Sequence, residues 1–145
     1  MNGPDSIALL PLLVTAYATV LLSVVLAFWR SFRAAFWLSL GTLLAALGSV
    51  AVALPYAPRQ VTPLIRIDAY SLFLSALVIL TGLLVVLLSR DYLAEHSRRV
   101  DAFCLLLLLA VLGMIALVCS SHFASLFVAY ETLSVSLVGM ICYTL

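Results

Sequence analysis

Five stretches of about twenty mostly apolar residues, each long enough to cross a bilayer as a helix, leave this chain only one solvent in which it can fold. They run over Ile7–Trp29, Ala34–Leu54, Tyr70–Ser89, Ala102–Ser120 and His122–Leu145. Inside hydrocarbon no water is available to bond a free N–H or C=O, so segments of this length must close their hydrogen bonds within themselves as helices. Composition agrees: 66% of the residues are hydrophobic and 9% charged, against roughly 25% charged in a soluble domain. Such a chain lacks the polar side chains to cover a water-facing surface. The expected fold is all-α, a polytopic transmembrane helix bundle with five spans forming one transmembrane domain over residues 1–145.

The breaks between the spans hold the charges. Arg30 and Arg33 fall in the first, and Arg59 and Arg66 in the second. Arg90, Asp91, Glu95, Arg98, Arg99 and Asp101 fall in the third, while the fourth is the polar turn Ser120-Ser121-His122. Loops one and three thus carry five of the seven arginines, and basic residues favour the cytoplasmic side. This predicts an N-terminus outside, with Trp29, Trp37 and Tyr92 near headgroup level. The leading Met-Asn-Gly-Pro-Asp-Ser has no base ahead of a long apolar run, unlike a secretory signal, so the first span is expected to be retained. Pro11 suits a helix entry or a mild kink. The second loop, with Pro55, Pro58 and Pro63, predicts an irregular outer connection, and Leu64–Asp68 after it leaves a short strand open. Gly41, Ala45, Ser49 and Ala53 share a helix face in span two and suggest a close packing surface. The last span ends without a charge or a glycine cap, and the sequence is expected to be a fragment of something longer.

Several chemistries find no residues to carry them. Cys104, Cys119 and Cys142 are widely spaced inside apolar segments and read as small packing residues. They suggest neither a disulfide framework nor a metal site. Net charge is +1 with no basic run, so nucleic acid is not an expected partner. No phosphate loop, nucleophile–base pair, heme ligand pair or flavin motif occurs, and no cofactor is expected in this chain.

Glu131 is the exception within the apolar segments, a carboxylate about midway along span five. A strongly disfavoured charge at mid-bilayer costs at least about 2.5–3.5 kcal/mol, and such groups usually mark an ion or proton path. Its helical neighbours are Phe127, Val128, Ser134 and Val135, with Ala124 and Val138 a turn further out. One serine hydroxyl does not neutralise a carboxylate. Either the acid stays protonated, because desolvation disfavours its charged form, or a cation pairs with it. The chain has no lysine and its arginines lie in the loops, so a cationic partner would come from outside these 145 residues. A purely structural role, as a protonated acid bonded to a neighbouring helix, is the alternative. Among the other polar residues, His122 reads as a solvated residue or helix cap with proton entry as a minority role. Asp68 and Asp101 read as helix caps, and Ser134 and Ser136 as backbone-bonded.

Two segments carry a family resemblance. Ile67-Asp-Ala-Tyr-Ser-Leu-Phe, with the span that follows it to Leu88-Ser-Arg-Asp-Tyr92, resembles the third helix of the subunit N family of bacterial NADH:quinone oxidoreductase (respiratory complex I). Leu112-Gly-Met and Ser120-Ser-His-Phe-Ala-Ser-Leu-Phe-Val-Ala-Tyr-Glu131-Thr-Leu-Ser resemble its fourth and fifth helices. Thr132 stands where leucine is usual. The resemblance covers about Asp68–Leu145 well and the first two spans only in general character. It implies the N-terminal part of an antiporter-like fold of about fourteen helices in the bacterial inner membrane. Proton translocation would be coupled there to electron transfer from NADH to quinone. Glu131 matches the family glutamate that pairs with a lysine on a later, broken helix. NADH, flavin, iron–sulfur clusters and quinone would be handled by other subunits, and the partners would be the other membrane subunits of the same complex and the lipid bilayer. A cation/proton antiporter subunit, a membrane-bound hydrogenase subunit and a non-catalytic membrane scaffold are the competing functions.

Overall fold

The computed structural model describes residues 3–28, 32–96 and 100–144. Trp29, Arg30, Arg98, Arg99 and Leu145 lie outside them, as do the side chains of Arg33, Arg59, Asp91, Tyr92, Glu95 and Asp101. The helices are α1 (Gly3–Ala8), α2 (Leu10–Phe28), α3 (Phe32–Ala53), α4 (Ala69–His96), α5 (Val100–Val118) and α6 (Phe123–Thr144). A 3₁₀ turn (Leu54–Tyr56) and an antiparallel hairpin, β1 (Arg59–Thr62) with β2 (Ile65–Ile67), connect α3 to α4. The α-helical expectation holds, with this 3₁₀ turn and hairpin as the additions among the described residues.

Local chemistry explains where the elements start and stop. The helix breaks at Leu9 because Pro11 has no N–H to bond the carbonyl four residues back. Arg90, Asp91, Leu93, Ala94 and Glu95 include no glycine or proline and are mostly tolerant of helix. Accordingly α4 runs on to His96, well past the boundary expected at Ser89. Helix α5 already includes Asp101, so this residue lies within the first turn rather than ahead of it. In the second loop the strands pair Arg59 with Ile67, Gln60 with Arg66 and Thr62 with Ile65, with a bulge between Gln60 and Thr62. The Thr62 hydroxyl accepts the Ile65 N–H at 3.1 Å and closes the turn. Thus the proline-rich connection is more ordered than its composition suggests.

Helices α2, α3, α4 and α6 each have the length and apolarity to cross a membrane, and α5 is an apolar helix of 19 residues, as long as α2. That helix is also the central one, packed against α2, α3, α4 and α6. Its Cys104, Leu107, Leu108, Val111 and Ile115 are buried. Helix α6 has α5 as its one extensive packing partner and is the least buried of the candidate spans.

Buried hydroxyls are handled within the helices. Thr15 donates to Pro11 O at 2.9 Å, Thr19 to Thr15 O at 2.7 Å, Ser39 to Ala35 O at 2.8 Å and Ser136 to Thr132 O at 2.6 Å. Such bonds back along the helix neutralise a polar group that lipid cannot solvate. At the end of the bundle where α3 begins and α4 finishes, the Arg90 guanidinium lies 5.7 Å from the Phe36 ring centroid. Phe36 meets Trp37 edge-on at 6.0 Å, a cation–aromatic cluster suited to the interface.

The proposed stripe in span two resolves differently. Gly41 and Ala45 are exposed, and the packed face consists of Thr42, Leu43, Ala46, Ser49, Val50 and Ala53. A Cβ added to Gly41 would meet nothing within 4 Å. The stripe divides, with Gly41 and Ala45 outward and Ser49 and Ala53 packed, because each four-residue step drifts about 40° round the helix.

Candidate functional site

Glu131 sits in the middle of α6, on an exposed face. It shares a shallow groove of ≈ 390 Å³ with Phe127, Val128, Thr132 and Val135 of α6 and Leu109 of α5. No hydrogen bond or ion pair to its carboxylate occurs among the described residues. The face toward α5 is carried instead by Ala129 and Ser136, both buried, with Leu133 beside them. Successive helical residues are rotated by about 100°, so Glu131 points nearly opposite to Ala129 and Leu133. One side of α6 is thereby attached to the bundle and the other presents a lone acid.

Of the polar neighbours expected from spacing, Thr132 rather than Ser134 lines the groove. Its hydroxyl donates to Val128 O at 2.8 Å, so its one hydrogen is committed to its own helix. The groove is otherwise apolar, and nothing in it solvates a carboxylate.

The start of α6 is built from the turn that precedes it. His122 Nδ1 accepts the Ala124 N–H at 3.3 Å, which makes His122 the cap of α6. The Ser125 hydroxyl lies 2.8 Å from both Leu64 O and His122 O and shares its hydrogen between them. The hairpin then holds the turn through backbone bonds, Arg66 N–H to Cys119 O and Ser121 N–H to Leu64 O, both 3.0 Å. Ser121 adds a bond from its hydroxyl to Pro63 O at 3.0 Å. In this way the α5–α6 turn joins the hairpin like a third strand, through an Ile65–Ser120 bridge. Spacing along the sequence gave no hint of these bonds across some sixty residues, since each partner is an ordinary serine or a backbone group.

Asp68 caps α4 as its position suggests, accepting the Ser71 N–H at 2.8 Å. That bond holds its carboxyl below the usual 3.8, with the Ser71 hydroxyl and the Arg66 charge acting in the same direction and partial burial opposing them. Cys104 and Cys119 are buried and Cys142 is exposed, all as free thiols. No group of three or more metal-ligating side chains occurs among the described residues.

Gly113, in the Leu112-Gly-Met segment, is the residue whose structural use was not apparent from the sequence. A Cβ there would lie 3.0 Å from Leu133 N, 3.2 Å from Leu133 Cα and 3.3 Å from Ala129 O. The backbones of α5 and α6 therefore approach closely at this point. A glycine inside a strongly apolar helix was the available signal.

Helices of this length and apolarity, threaded through short polar connections, define a polytopic α-helical membrane protein. No family model matches the chain. It is 43% identical over 137 residues, 94% of its length, to NADH-quinone oxidoreductase subunit N of Methylococcus capsulatus. The chain is thus homologous to that subunit over the stretch it covers, and it spans 28% of that protein's length.

Proposed function

We propose that this chain forms part of a proton-translocating membrane-arm subunit of NADH:quinone oxidoreductase, with Glu131 as its proton-exchanging group. The observation that carries the reading is the unpartnered acid on the outward face of α6, within a chain homologous to subunit N along nearly its whole length. An acid buried against another helix needs a polar or cationic companion. The companion would come from a helix outside these 145 residues. As that cation approaches, the ionised carboxylate is favoured; as it recedes, the protonated form is. Coupling that movement to electron transfer elsewhere in the complex would make Glu131 take up and release protons.

In this reading the chain lies in the bacterial inner membrane with its N-terminus outside. The hairpin and the α5–α6 turn then face outward, and Arg90 with Phe36 and Trp37 lies at the cytoplasmic surface. NADH, flavin, iron–sulfur clusters and quinone are handled by other subunits of the complex, and the direct partners of this one are the other membrane subunits. The test is Glu131→Gln in the intact protein within its assembled complex. Proton uptake per NADH oxidised should fall at least several-fold in inverted vesicles while the complex still assembles. Unchanged proton movement would remove Glu131 from the pathway.

A further inference from the structure

We infer that Gly113 is a positioning residue for Glu131, setting how far α6 stands from the bundle at the level of the acid. The inference rests on the proton-exchange reading of Glu131.

The geometry is specific to this glycine. A methyl on Gly113 would press on backbone atoms, Leu133 N, Leu133 Cα and Ala129 O, which cannot rotate away. At Gly139 the nearest atom is Leu106 Cδ2, at 2.9 Å, and at Gly82 it is Val111 Cγ2, at 2.8 Å. Both are side-chain rather than backbone atoms; Leu106 can change rotamer, whereas the branched Val111 is held nearly to one rotamer in its helix. Gly41 and Gly48 have nothing within 4 Å. Gly113 is therefore the glycine, among these five, that lets two backbones meet.

The contact also brackets the acid. Ala129 and Leu133 lie two residues before and two after Glu131, on the opposite side of the same helix turns. Because α5 is the one extensive support of α6 among the described residues, pressure at Gly113 pushes α6 away from α5 and toward whatever covers its outward face. Any outward shift carries Glu131 by the same amount toward whatever faces it. Charge–charge attraction between close groups in a poorly screened interior is large and varies inversely with distance. A displacement of a few tenths of an ångström is therefore felt at the acid.

The experiment uses the intact protein in its assembled complex, with Gly113→Ala, Gly113→Val and the control Gly48→Ala. Two quantities are read: protons moved per NADH oxidised, and the infrared carboxyl band that Glu131→Gln abolishes. Gly113→Ala should displace the band and lower proton movement about two-fold, Gly113→Val should do more, and Gly48→Ala should do neither. Lost proton movement with an unshifted band would overturn the inference, since it would indicate damage that does not reach the acid. Parental behaviour in both readouts would overturn it as well. A displaced band in the Gly113 variants, with parental proton movement both in them and in Glu131→Gln, would leave the positioning intact and defeat the proposed function instead. If Gly113→Val does not assemble, the alanine variant decides.

Discussion

Asp68 and Ser71 cap one another across the first turn of α4. The Ser71 N–H donates to Asp68 Oδ1 at 2.8 Å, and the Asp68 N–H donates to Ser71 Oγ at 2.9 Å. Two N–H groups that a helix start leaves without partners are satisfied reciprocally. Asp68→Ala is expected to lower the thermal stability of the detergent-solubilised protein by about 1 kcal/mol, with Asp68→Asn costing less because its amide oxygen still accepts.

The pH dependence of that cap follows from the direction in which the carboxyl is shifted. Its folded value lies below the unfolded 3.8, chiefly through the Ser71 N–H. The stabilisation is thus complete above 3.8 and disappears as pH falls through the lower folded value. The ionic part of the difference between parent and Asp68→Asn should be constant from neutrality to about pH 4 and shrink below it. Thermal melts across that range check this, and a difference that vanishes well above pH 5 would point to another group.

The joint between the hairpin and the α5–α6 turn makes a separate prediction. The amides of Arg66 and Ser121 each donate to a carbonyl of the other segment, so one opening event frees both. Hydrogen exchange should show them protected together and exchanging at similar rates. Ser125→Ala, which removes the hydroxyl shared between Leu64 O and His122 O, should speed both in parallel. Acceleration of only one amide would show that hairpin and turn move independently.

What the sequence disclosed and what it withheld divide along physical lines. Apolar length is a property of consecutive residues, so the helical membrane class was legible from runs such as Ile7–Trp29. Charge in such a run is equally local, which is why Glu131 stood out. Facing is relational: Gly41 and Ala45 turned out to be exposed, while Gly113 carries the close crossing, because rotation of a helix depends on its neighbours. The limit of α4 was misplaced because Arg90–Glu95 reads as a polar break although those residues are compatible with helix. The bonds from Ser121 and Ser125 to the hairpin join segments about sixty residues apart, beyond the reach of any local pattern.

Ser75 offers a test of how costly a buried hydroxyl is in this bundle. It is 1% exposed, and its hydroxyl is the buried side-chain polar atom that completes no geometrically sound hydrogen bond among the described residues, the Cys119 thiol being the polar group beside it. Thr15, Thr19, Ser39 and Ser136 differ from it in bonding back along their helices. Replacing an unsatisfied polar group by an apolar one of similar size removes a desolvation penalty. Ser75→Ala should leave thermal stability unchanged or raise it by up to about 1 kcal/mol. A loss exceeding that would mean that the hydroxyl is bonded in the native membrane, to the Cys119 thiol or to a bound water.

The central position of α5 leads to the sharpest contrast. Leu108 is fully buried, whereas Leu88 on α4 is 79% exposed. In water both truncations to alanine would forfeit some burial. In lipid the exposed leucine merely exchanges methyl contacts for acyl-chain contacts, since lipid tails are as apolar as leucine. Leu108→Ala removes atoms from a close-packed interior that relaxes only partly, at a cost of about 2–5 kcal/mol by analogy with soluble cores. Its lower end is the better expectation here, because the solvent-transfer part of that cost is largely absent in lipid. Unfolding in mixed micelles should therefore separate the two variants by about 2 kcal/mol, with Leu88→Ala close to the parent. Equal losses would mean that Leu88 is covered in the assembled complex and that its face of α4 packs against another helix.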